Sequence, residues 1–238
     1  MITKQRNILI SGSSKGLGKQ LANHFKNQGF RVITMGYETP SSVDIRCNLL
    51  DLPGLEFELK RVFDIHGAFD ILVCNAGSGK LPTGITSENT LREYFLEKNF
   101  QTAKNLLSAA RPYLKTPGAS VIGISSIVAL TEILGAPKGY AEAKIEMNQF
   151  FRKQALELAK HGIRVNLISP GNIFFSGSRW EEIALNNPNF VKDLLREKVP
   201  LHEFISPTEI ASAILYLSSD QAKSITGINL IIDGGQSL

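Results

Sequence analysis

The sequence lacks most of the features that mark special classes of protein. It has only two cysteines, Cys47 and Cys74, which are too few for a disulfide framework and show no metal-ligand spacing. No apolar run reaches the roughly 18 residues that a membrane-spanning helix needs. The segment at residues 1–6 has no apolar core of the kind found in signal peptides. We therefore expect a cytoplasmic protein without a membrane segment.

The sequence also has only a small excess of one sign of charge. The 26 Lys and Arg residues exceed the 22 Asp and Glu residues by a net charge of +4, and the two signs are interspersed. Nucleic-acid binding usually requires a basic stripe or patch, so we predict no nucleic-acid partner. The four histidines show no metal-ligand spacing, so we predict no metal.

Short apolar runs alternate with longer amphipathic stretches along the chain. Continuous rather than alternating hydrophobicity is typical of strands covered on both faces. The pattern predicts strands at 8–10, 32–35, 71–74, 121–124, 165–168 and 228–232, a weaker strand at 43–45, and helices at about 16–28, 52–66, 88–114, 140–161 and 207–219. The last helix opens with Ser206 as a cap, Pro207 at its first position and Glu209 as a capping-box residue. We predict one α/β domain over residues 1–238, a Rossmann-type doubly wound parallel sheet of about seven strands between two helical layers.

One connection in this pattern is unusually short. Residues 36–42, between the second and third strands, are fewer than the dozen or so that a parallel crossover helix usually needs. We expect a loop there, which would leave the adenosine side of a nucleotide site more open.

A glycine-rich turn follows the first predicted strand and precedes a helix. Gly12, Gly16 and Gly18 allow the backbone to turn tightly and to approach a pyrophosphate closely. The helix N-terminus would offer N–H groups and a positive dipole to the phosphates. An ordinary strand-to-helix loop is the alternative. The spacing is G-x-x-x-G-x-G rather than G-x-G-x-x-G.

This spacing resembles the glycine motif of the short-chain dehydrogenase/reductase family. Further motifs follow in that family's order over essentially the whole chain: Asn75-Ala76-Gly77, Asn99, Ser126, Tyr140-x-x-x-Lys144, Pro170-Gly171-Asn172-Ile173 and Leu230-Ile231-Ile232-Asp233-Gly234-Gly235. Each motif alone is common, but their combination in this order is specific. The resemblance therefore implies a nicotinamide-dependent oxidoreductase that acts on a carbonyl or secondary alcohol.

The resemblance also implies the site residues. The catalytic residues would be Asn99, Ser126, Tyr140 and Lys144, and the cofactor would contact Gly12, Ser14, Lys15, Gly16, Leu17, Gly18, Asn48, Leu49, Asn75, Ala76, Gly77, Tyr140, Lys144, Pro170, Gly171 and Ile173. Three positions depart from the common pattern. Cys74 stands where a second Asn is common, Asn48 stands where an Asp is common, and one residue is inserted between Ser126 and Tyr140. Ser125 is the alternative to Ser126.

Tyr140 and Lys144 carry the predicted chemistry. Residues four apart share one face of a helix. Lowering the pKa of a tyrosine from about 10 by about three units requires roughly 4 kcal/mol, which a charge at about 4 Å supplies at an effective dielectric near 20. In the family, Tyr140 would exchange the proton, Lys144 would lower its pKa and hold the ribose, Ser126 would orient the substrate oxygen, and Asn99 would support a proton path. The alternative is that Tyr140 and Lys144 simply lie on a solvent-exposed face of a helix and have no catalytic role.

The end of the second strand bears on the choice of cofactor. NAD-preferring relatives usually carry an acid where this chain has Gly36, and Lys15 matches a basic position of NADP-preferring relatives. Tyr37 stands where many of those have an arginine, and Glu38 follows it. NADP(H) is favoured and NAD(H) stays open.

The substrate side is less specific. Residues 172–200, with a helix reaching about residue 198, correspond to the family's mobile lid. Four of its side chains could contact substrate or could simply pack or be solvated: Phe174, Phe175, Arg179 and Trp180. A 3-oxoacyl thioester, a sugar and a cyclic alcohol all remain candidate substrates. A nucleotide-sensing regulatory protein is the alternative function, although such proteins typically lose the Tyr or the Lys. The family assembles through its long helices, so we expect a homo-oligomer, a tetramer before a dimer.

Overall fold

Most strands and helices occur close to where the apolar pattern predicts them, and the weak strand predicted at 43–45 is found at Ile45–Arg46. The computed structural model describes residues 5–37, 43–133 and 135–238. The strands are β1 (Asn7–Ser11), β2 (Arg31–Gly36), β3 (Ile45–Arg46), β4 (Ile71–Cys74), β5 (Ser120–Ile124), β6 (Arg164–Pro170) and β7 (Asn229–Ile232). The α-helices are α1 (Gly16–Asn27), α2 (Leu52–His66), α3 (Glu88–Phe95), α4 (Thr102–Ala110), α5 (Lys138–Ala159), α6 (Arg179–Asn186), α7 (Pro188–Lys198) and α8 (Pro207–Leu217).

The seven strands form one parallel sheet in the order β3-β2-β1-β4-β5-β6-β7. The order reverses between β1 and β4. Ligands of open α/β sheets bind beyond the carboxyl ends of the strands at such a reversal. The predicted Rossmann-type fold is confirmed, and its topology places the turn after β1 and the loop after β4 at one crevice.

Each face of the sheet is covered by helices, which gives the protein two apolar cores. Ile8 and Ile10 of β1 pack with α1 and α8 on one face, whereas Leu9 between them packs with α2, α4 and α5 on the other. Successive residues of a strand point to opposite faces. Strands buried on both faces therefore need the continuous apolar runs seen in the sequence.

The predicted long helix at 88–114 is interrupted in the structure. A π-helical turn, Leu96–Gln101, joins α3 to α4, and a short 3-10 turn, Arg111–Tyr113, follows α4. A π-turn inserts one extra residue into a helix and frequently occurs at functional sites. It reorients the side chain of Asn99, which is fully buried.

Two connections refine the expected organisation. Residues 38–42 of the predicted loop after β2 lie outside the described residues. Between β6 and α8 the structure has two helices, α6 and α7, in place of one. The Asn187 side chain accepts a hydrogen bond from Phe190 N at 3.2 Å, and Pro188 occupies the first position of α7. A cap followed by a proline starts a new helix and so ends the previous one.

Candidate active site

The turn after β1 forms a tight glycine cradle. Gly12 and Gly16 have φ values of +65° and +60°, a region that favours glycine. A Cβ on Gly12 would lie 2.9 Å from the Cα of Ala76, and one on Gly18 would collide with the carbonyl oxygen of Gly12. The glycines at 12 and 18 are therefore required by close backbone approach as well as by turn geometry.

Asn75 ties this cradle to the end of β4. Its Nδ2 donates to the carbonyl oxygen of Ser11 at 2.9 Å, and its backbone N–H donates to Ser11 Oγ at 3.0 Å. The Ala76 N–H donates to the same hydroxyl at 3.1 Å. The Asn-Ala-Gly segment thus fixes the spacing of the two loops that form the crevice.

A cleft of about 560 Å³ opens over the glycine cradle. The predicted cofactor residues that line it are Gly12, Ser14, Lys15, Gly16, Leu17, Gly18, Asn48, Leu49, Asn75, Ala76 and Gly77. Gly36 and Tyr37 at the end of β2 also line it. The Asn48 side chain accepts a hydrogen bond from Leu50 N at 3.0 Å, so it shapes the turn after β3.

A second cavity of about 220 Å³ contains all four predicted catalytic residues. Its lining includes Asn99, Ser125, Ser126, Tyr140, Lys144, Pro170, Gly171 and Ile173. Leu17, Asn75, Gly77 and Ser78 line both cavities, so the two adjoin. A dinucleotide that lay along the cleft would therefore have one end at the second cavity.

Tyr140 lies near the start of α5, where several neighbours restrict its ring. The ring of Phe95, which is fully buried, lies 5.9 Å from the Tyr140 ring between centroids. A Cβ on Gly79 would lie 3.1 Å from Tyr140 Cε1. The Tyr140 hydroxyl therefore has a defined position at the cavity.

The protonation of Tyr140 differs from the expectation. Burial raises the pKa of Tyr140 above its ordinary value, and a hydrogen bond with Ser126 opposes this by lowering the pKa. The Nζ of Lys144 lies 5.8 Å from the ring centroid. The sequence led us to expect a lowered pKa, and without a bound cofactor the structure gives the opposite direction because desolvation disfavours the phenolate.

Lys144 is a buried cation one helical turn after Tyr140. It is 4% exposed, and its Nζ donates to the carbonyl oxygen of Ile124 at 2.8 Å. Burial lowers its pKa to about 8. The amino group of Lys144 therefore lies at the end of β5 and lines the second cavity.

Asn99 joins the π-turn to the loop after β4. Its Oδ1 accepts from Ser78 N at 3.0 Å, and its Nδ2 donates to the carbonyl oxygens of Ser78 and Phe95, both at 3.1 Å. A Cβ on Gly77 would lie 2.5 Å from Asn99 Oδ1 and 3.6 Å from Lys144 Nζ. Asn99 thus lies close to Lys144 and holds the loop that separates the two cavities.

The two serines at the end of β5 have different partners. Ser125 is buried, and its Oγ donates to Asn148 Oδ1 at 2.6 Å. Ser126 interacts with Tyr140 and accepts from Val128 N at 3.4 Å. The geometry places Ser126 against the tyrosine, as the sequence predicts.

The four predicted substrate residues do not join this group. Among the described residues that line the two cavities, Phe174, Phe175, Arg179 and Trp180 are not found. Phe174 and Trp180 instead pack on Phe204, with centroid distances of 5.4 Å and 5.3 Å. Phe174 N donates to Ile205 O at 2.9 Å. In this structure Phe174 and Trp180 therefore pack on Phe204 and do not line either of the two cavities.

Several lining residues were missed from the sequence. Lys98, Tyr94 and Thr102 of the long helical segment line the cleft, as does the loop at 78–83. The loop carried a usable signal, because it follows a strand at the carboxyl edge of the sheet, where ligands bind. Lys98 carried none, since helical periodicity does not show which element a lysine will face.

Other kinds of site are not supported by the described part of the chain. Within residues 5–37, 43–133 and 135–238, no group of three His, Cys, Asp or Glu side chains could hold a metal ion. Over the same residues, no helix is both long and apolar enough to cross a membrane.

Comparison with known proteins places this chain in a family. A family model described as enoyl-(acyl carrier protein) reductase matches residues 12–237. L-fucose dehydrogenase of Oryctolagus cuniculus is 30% identical over 247 residues, covering 97% of this chain and 84% of that protein. The chain belongs to the short-chain dehydrogenase/reductase family. Members are oxidoreductases that act on alcohols and carbonyls, so this short-chain dehydrogenase/reductase is an enzyme of that class.

Further similarities agree with the family. Isoepoxydon dehydrogenase of Penicillium expansum is 28% identical over 250 residues, covering 98% of this chain and 95% of that one. The fold matches RhlG of Pseudomonas aeruginosa, in an active-site complex with NADP, with a TM-score of 0.85 at 24% identity over 98% of this chain and 96% of the other. The aldohexose dehydrogenase of Thermoplasma acidophilum has a TM-score of 0.85 at 23% identity, covering 98% and 94%. These structural likenesses show the fold.

Proposed function

We propose that this enzyme transfers hydride between NADP(H) and a carbonyl or secondary alcohol by a Ser-Tyr-Lys mechanism. The observation that carries the proposal is the convergence of Asn99, Ser126, Tyr140 and Lys144 on one cavity that adjoins the glycine-lined cleft. If Tyr140 and Lys144 merely lay on an exposed helix face, we would not expect a strand end, a π-turn and a helix start to meet at the same cavity.

The cleft fits a dinucleotide on its own geometry. Gly12 and Gly18 leave no room for a Cβ, and the backbone around Gly16 turns into the N-terminus of α1. Such a cradle favours phosphate groups. The cofactor-binding residues would be those that line the cleft, together with Tyr140, Lys144, Pro170, Gly171 and Ile173 at the second cavity.

The proposed mechanism assigns one role to each catalytic side chain. A bound NADP(H) would supply the hydride donor or acceptor. Ser126 Oγ would hydrogen-bond the substrate oxygen and stabilise the charge that develops on it. Tyr140 would give its proton to that oxygen in reduction and take it back in oxidation. Because burial raises the pKa of Tyr140, the hydroxyl stays protonated at neutral pH, which suits the acid role in reduction.

Lys144 and Asn99 would act behind the tyrosine. The buried ammonium of Lys144 would favour the phenolate as it forms and would hold the ribose hydroxyls of the cofactor. Asn99 would fix the loop at Ser78 through its three hydrogen bonds and support proton supply to Lys144. Ile173 would contact the carboxamide through its backbone.

NADP(H) is proposed over NAD(H) because of charge at the adenosine end. Lys15 lines the cleft and would attract a 2′-phosphate. Gly36 also lines it, and a glycine at this position has no carboxylate that would repel the phosphate. The NADP complex of RhlG, which shares the fold, is consistent with this choice. Glu38, an argument for NAD(H), lies outside the described residues.

The names of similar proteins suggest which substrate classes to test. Two of the similar proteins are named for sugars, L-fucose and aldohexose dehydrogenase, and a third is named for isoepoxydon. We therefore put sugars and cyclic alcohols forward as the first substrate classes. We propose that these classes are tested first and 3-oxoacyl thioesters second. The lid at 172–200 would close over the substrate, with Phe174, Phe175, Arg179 and Trp180 reaching it only after the packing on Phe204 is released.

A cofactor titration followed by a substrate panel tests the function. Purified protein is titrated with NADPH and NADH, and a carbonyl and alcohol panel is then followed at the absorbance of the reduced nicotinamide. The proposal predicts tighter binding of NADPH and turnover of at least one carbonyl or alcohol. Binding without turnover across the panel would favour the regulatory alternative, and equal or weaker binding of NADPH would contradict the cofactor choice.

We also propose a homo-oligomer, a tetramer before a dimer. Exposed apolar side chains on α5 and β7 support association, namely Ile145 (40% exposed), Leu156 (75%) and Ile231 (46%). Sedimentation velocity over a range of concentrations tests this, and a monomer throughout would contradict it. A cytoplasmic location stays a prediction.

A further inference from the structure

Lys98 is a cation at the cofactor cleft for which the proposed function gives no role. It lies in the π-turn, directly before Asn99, and is half-buried. Thr102, at the start of α4, lines the same cleft and bonds back through Oγ1 to the carbonyl oxygen of Lys98 at 2.9 Å. The π-turn therefore presents Lys98 and Thr102 to the space above the glycine cradle.

Lys98 and Lys15 reach this cleft from two different elements. Lys15 belongs to the cradle at the start of α1, and Lys98 to the helical segment beyond the β4 loop. They are close enough that the charge of Lys15 lowers the pKa of Lys98, in addition to a larger lowering by burial. Two ammonium groups therefore lie within electrostatic range of each other in the same cleft.

The charge of the cleft has one sign among the described residues that line it. Lys15, Lys80 and Lys98 are the charged members of that group, and no carboxylate is among them. Ammonium groups that converge on a concave surface favour an anion such as a phosphate. The cleft therefore suits a ligand with more than one phosphate group.

The position of Lys15 shows which phosphate is involved. A Cβ on Gly36 would lie 2.8 Å from Ser14 Cβ, and Ser13 N donates to Met35 O at 3.0 Å. The cradle is thus packed directly on the end of β2, where the adenosine ribose of a cofactor would lie. Lys15, the residue after Ser14, is at the ribose end of the cleft.

We propose that Lys98, together with Lys15, binds the 2′-phosphate of the cofactor and so sets the preference for NADP(H). This inference rests on the proposed cofactor site. Lys98 takes the place of a second cation that β2 does not provide at Gly36 or Tyr37. It is a specificity residue for the cofactor and has no part in proton transfer.

Binding of cofactor fragments tests the inference without turnover. The full chain is titrated by calorimetry with 2′,5′-ADP and with 5′-AMP, which differ in the 2′-phosphate. The variants are Lys98→Gln, Lys98→Arg and Lys15→Gln, with Lys104→Gln as a control. Lys104 is an exposed lysine on α4 that contacts the Phe100 ring and is not among the described residues of the cleft.

Lys98→Gln should weaken 2′,5′-ADP binding about tenfold, the loss expected for one charge-assisted hydrogen bond, and leave 5′-AMP within about twofold. Lys98→Arg should keep most of the preference, and Lys104→Gln should change neither affinity. Retained 5′-AMP binding shows that the variants are folded.

Four outcomes would overturn the inference. Equal losses for both fragments would place Lys98 on another phosphate, and unchanged 2′,5′-ADP binding would remove it from the site. If only Lys15→Gln lost the preference, NADP(H) dependence would stand and the role of Lys98 would fall. If the unmodified enzyme bound 5′-AMP as tightly as 2′,5′-ADP, the proposed NADP(H) preference itself would fall, and the inference with it.

Discussion

Replacing Lys144 by methionine should make the cofactor-free protein more stable at neutral pH. Lys144 is 4% exposed, and the ion pairs found among the described residues do not include it. Burying an unpaired charge is unfavourable. A methionine of similar length removes that cost and keeps the volume filled.

The magnitude follows from the pKa. Burial lowers the pKa of Lys144 from 10.5 to about 8. At about 1.4 kcal/mol per pH unit, this difference corresponds to about 3 kcal/mol against folding while the lysine is charged. Losing the hydrogen bond to the Ile124 carbonyl would cost about 1–2 kcal/mol of that gain. We expect Lys144→Met to raise the free energy of unfolding by about 1–2 kcal/mol at pH 7.

The stability gained by Lys144→Met should become smaller as pH rises. Between about 8 and 10.5 the unfolded chain binds more protons at Lys144 than the folded protein does, so the unmodified protein gains stability as pH rises. The advantage of Lys144→Met is therefore complete below pH 8 and disappears above about pH 10.5.

Urea unfolding followed by circular dichroism measures the effect. It is carried out at pH 7 and pH 10.5 at one protein concentration, because association would also shift stability. Lys153→Met, on the exposed face of α5, is the matched control and should stay within about 0.5 kcal/mol of the unmodified protein. A less stable Lys144→Met at pH 7, or a gain that did not change with pH, would refute this reasoning.

Three other substitutions have separate expected results. Gly18→Ala would put a Cβ against the carbonyl oxygen of Gly12, so calorimetry should detect little or no NADPH binding; normal affinity would contradict the cradle geometry. Asn99→Ala would leave the partly buried N–H and carbonyl of Ser78 without their side-chain partner and should lower the free energy of unfolding by about 1–2 kcal/mol, a loss that urea unfolding would show. Ser206→Ala removes the cap of α8 and should cost about 1 kcal/mol in the same assay, and no change would argue against the capping box.

The fold was readable from the sequence because strands buried on both faces need continuous apolar runs. Ile8–Ile10 and the runs that follow all became strands of one parallel sheet. The boundaries of the long helix were less predictable. Its π-turn at Leu96–Gln101 carries Asn99, which bonds to Ser78, 21 residues away, and such a long-range contact is not visible to local propensity.

The grouping of the proposed catalytic residues was also predictable, but their environment was not. The order of motifs singles out Ser126, Tyr140 and Lys144, and in the structure these three residues line one cavity. The raised pKa of Tyr140 depends on how deeply its hydroxyl is buried, which sequence spacing does not determine. The packing of Phe174 on Phe204 likewise joins residues on either side of α6 and α7.

Tyr140→Phe tests the proposed mechanism most directly. The substitution removes only the hydroxyl and keeps the ring against Phe95. NADPH binding, measured by calorimetry, should stay within about threefold of the unmodified protein, because only one hydroxyl is lost and the other cofactor-binding residues are unchanged. A threefold change is well under the roughly 1.4 kcal/mol that corresponds to a tenfold change in affinity. Turnover of the best substrate in the panel should fall to background in the absorbance assay. Turnover that persisted at more than a small fraction of the original rate, with cofactor still bound, would contradict the assignment of Tyr140 as the proton donor.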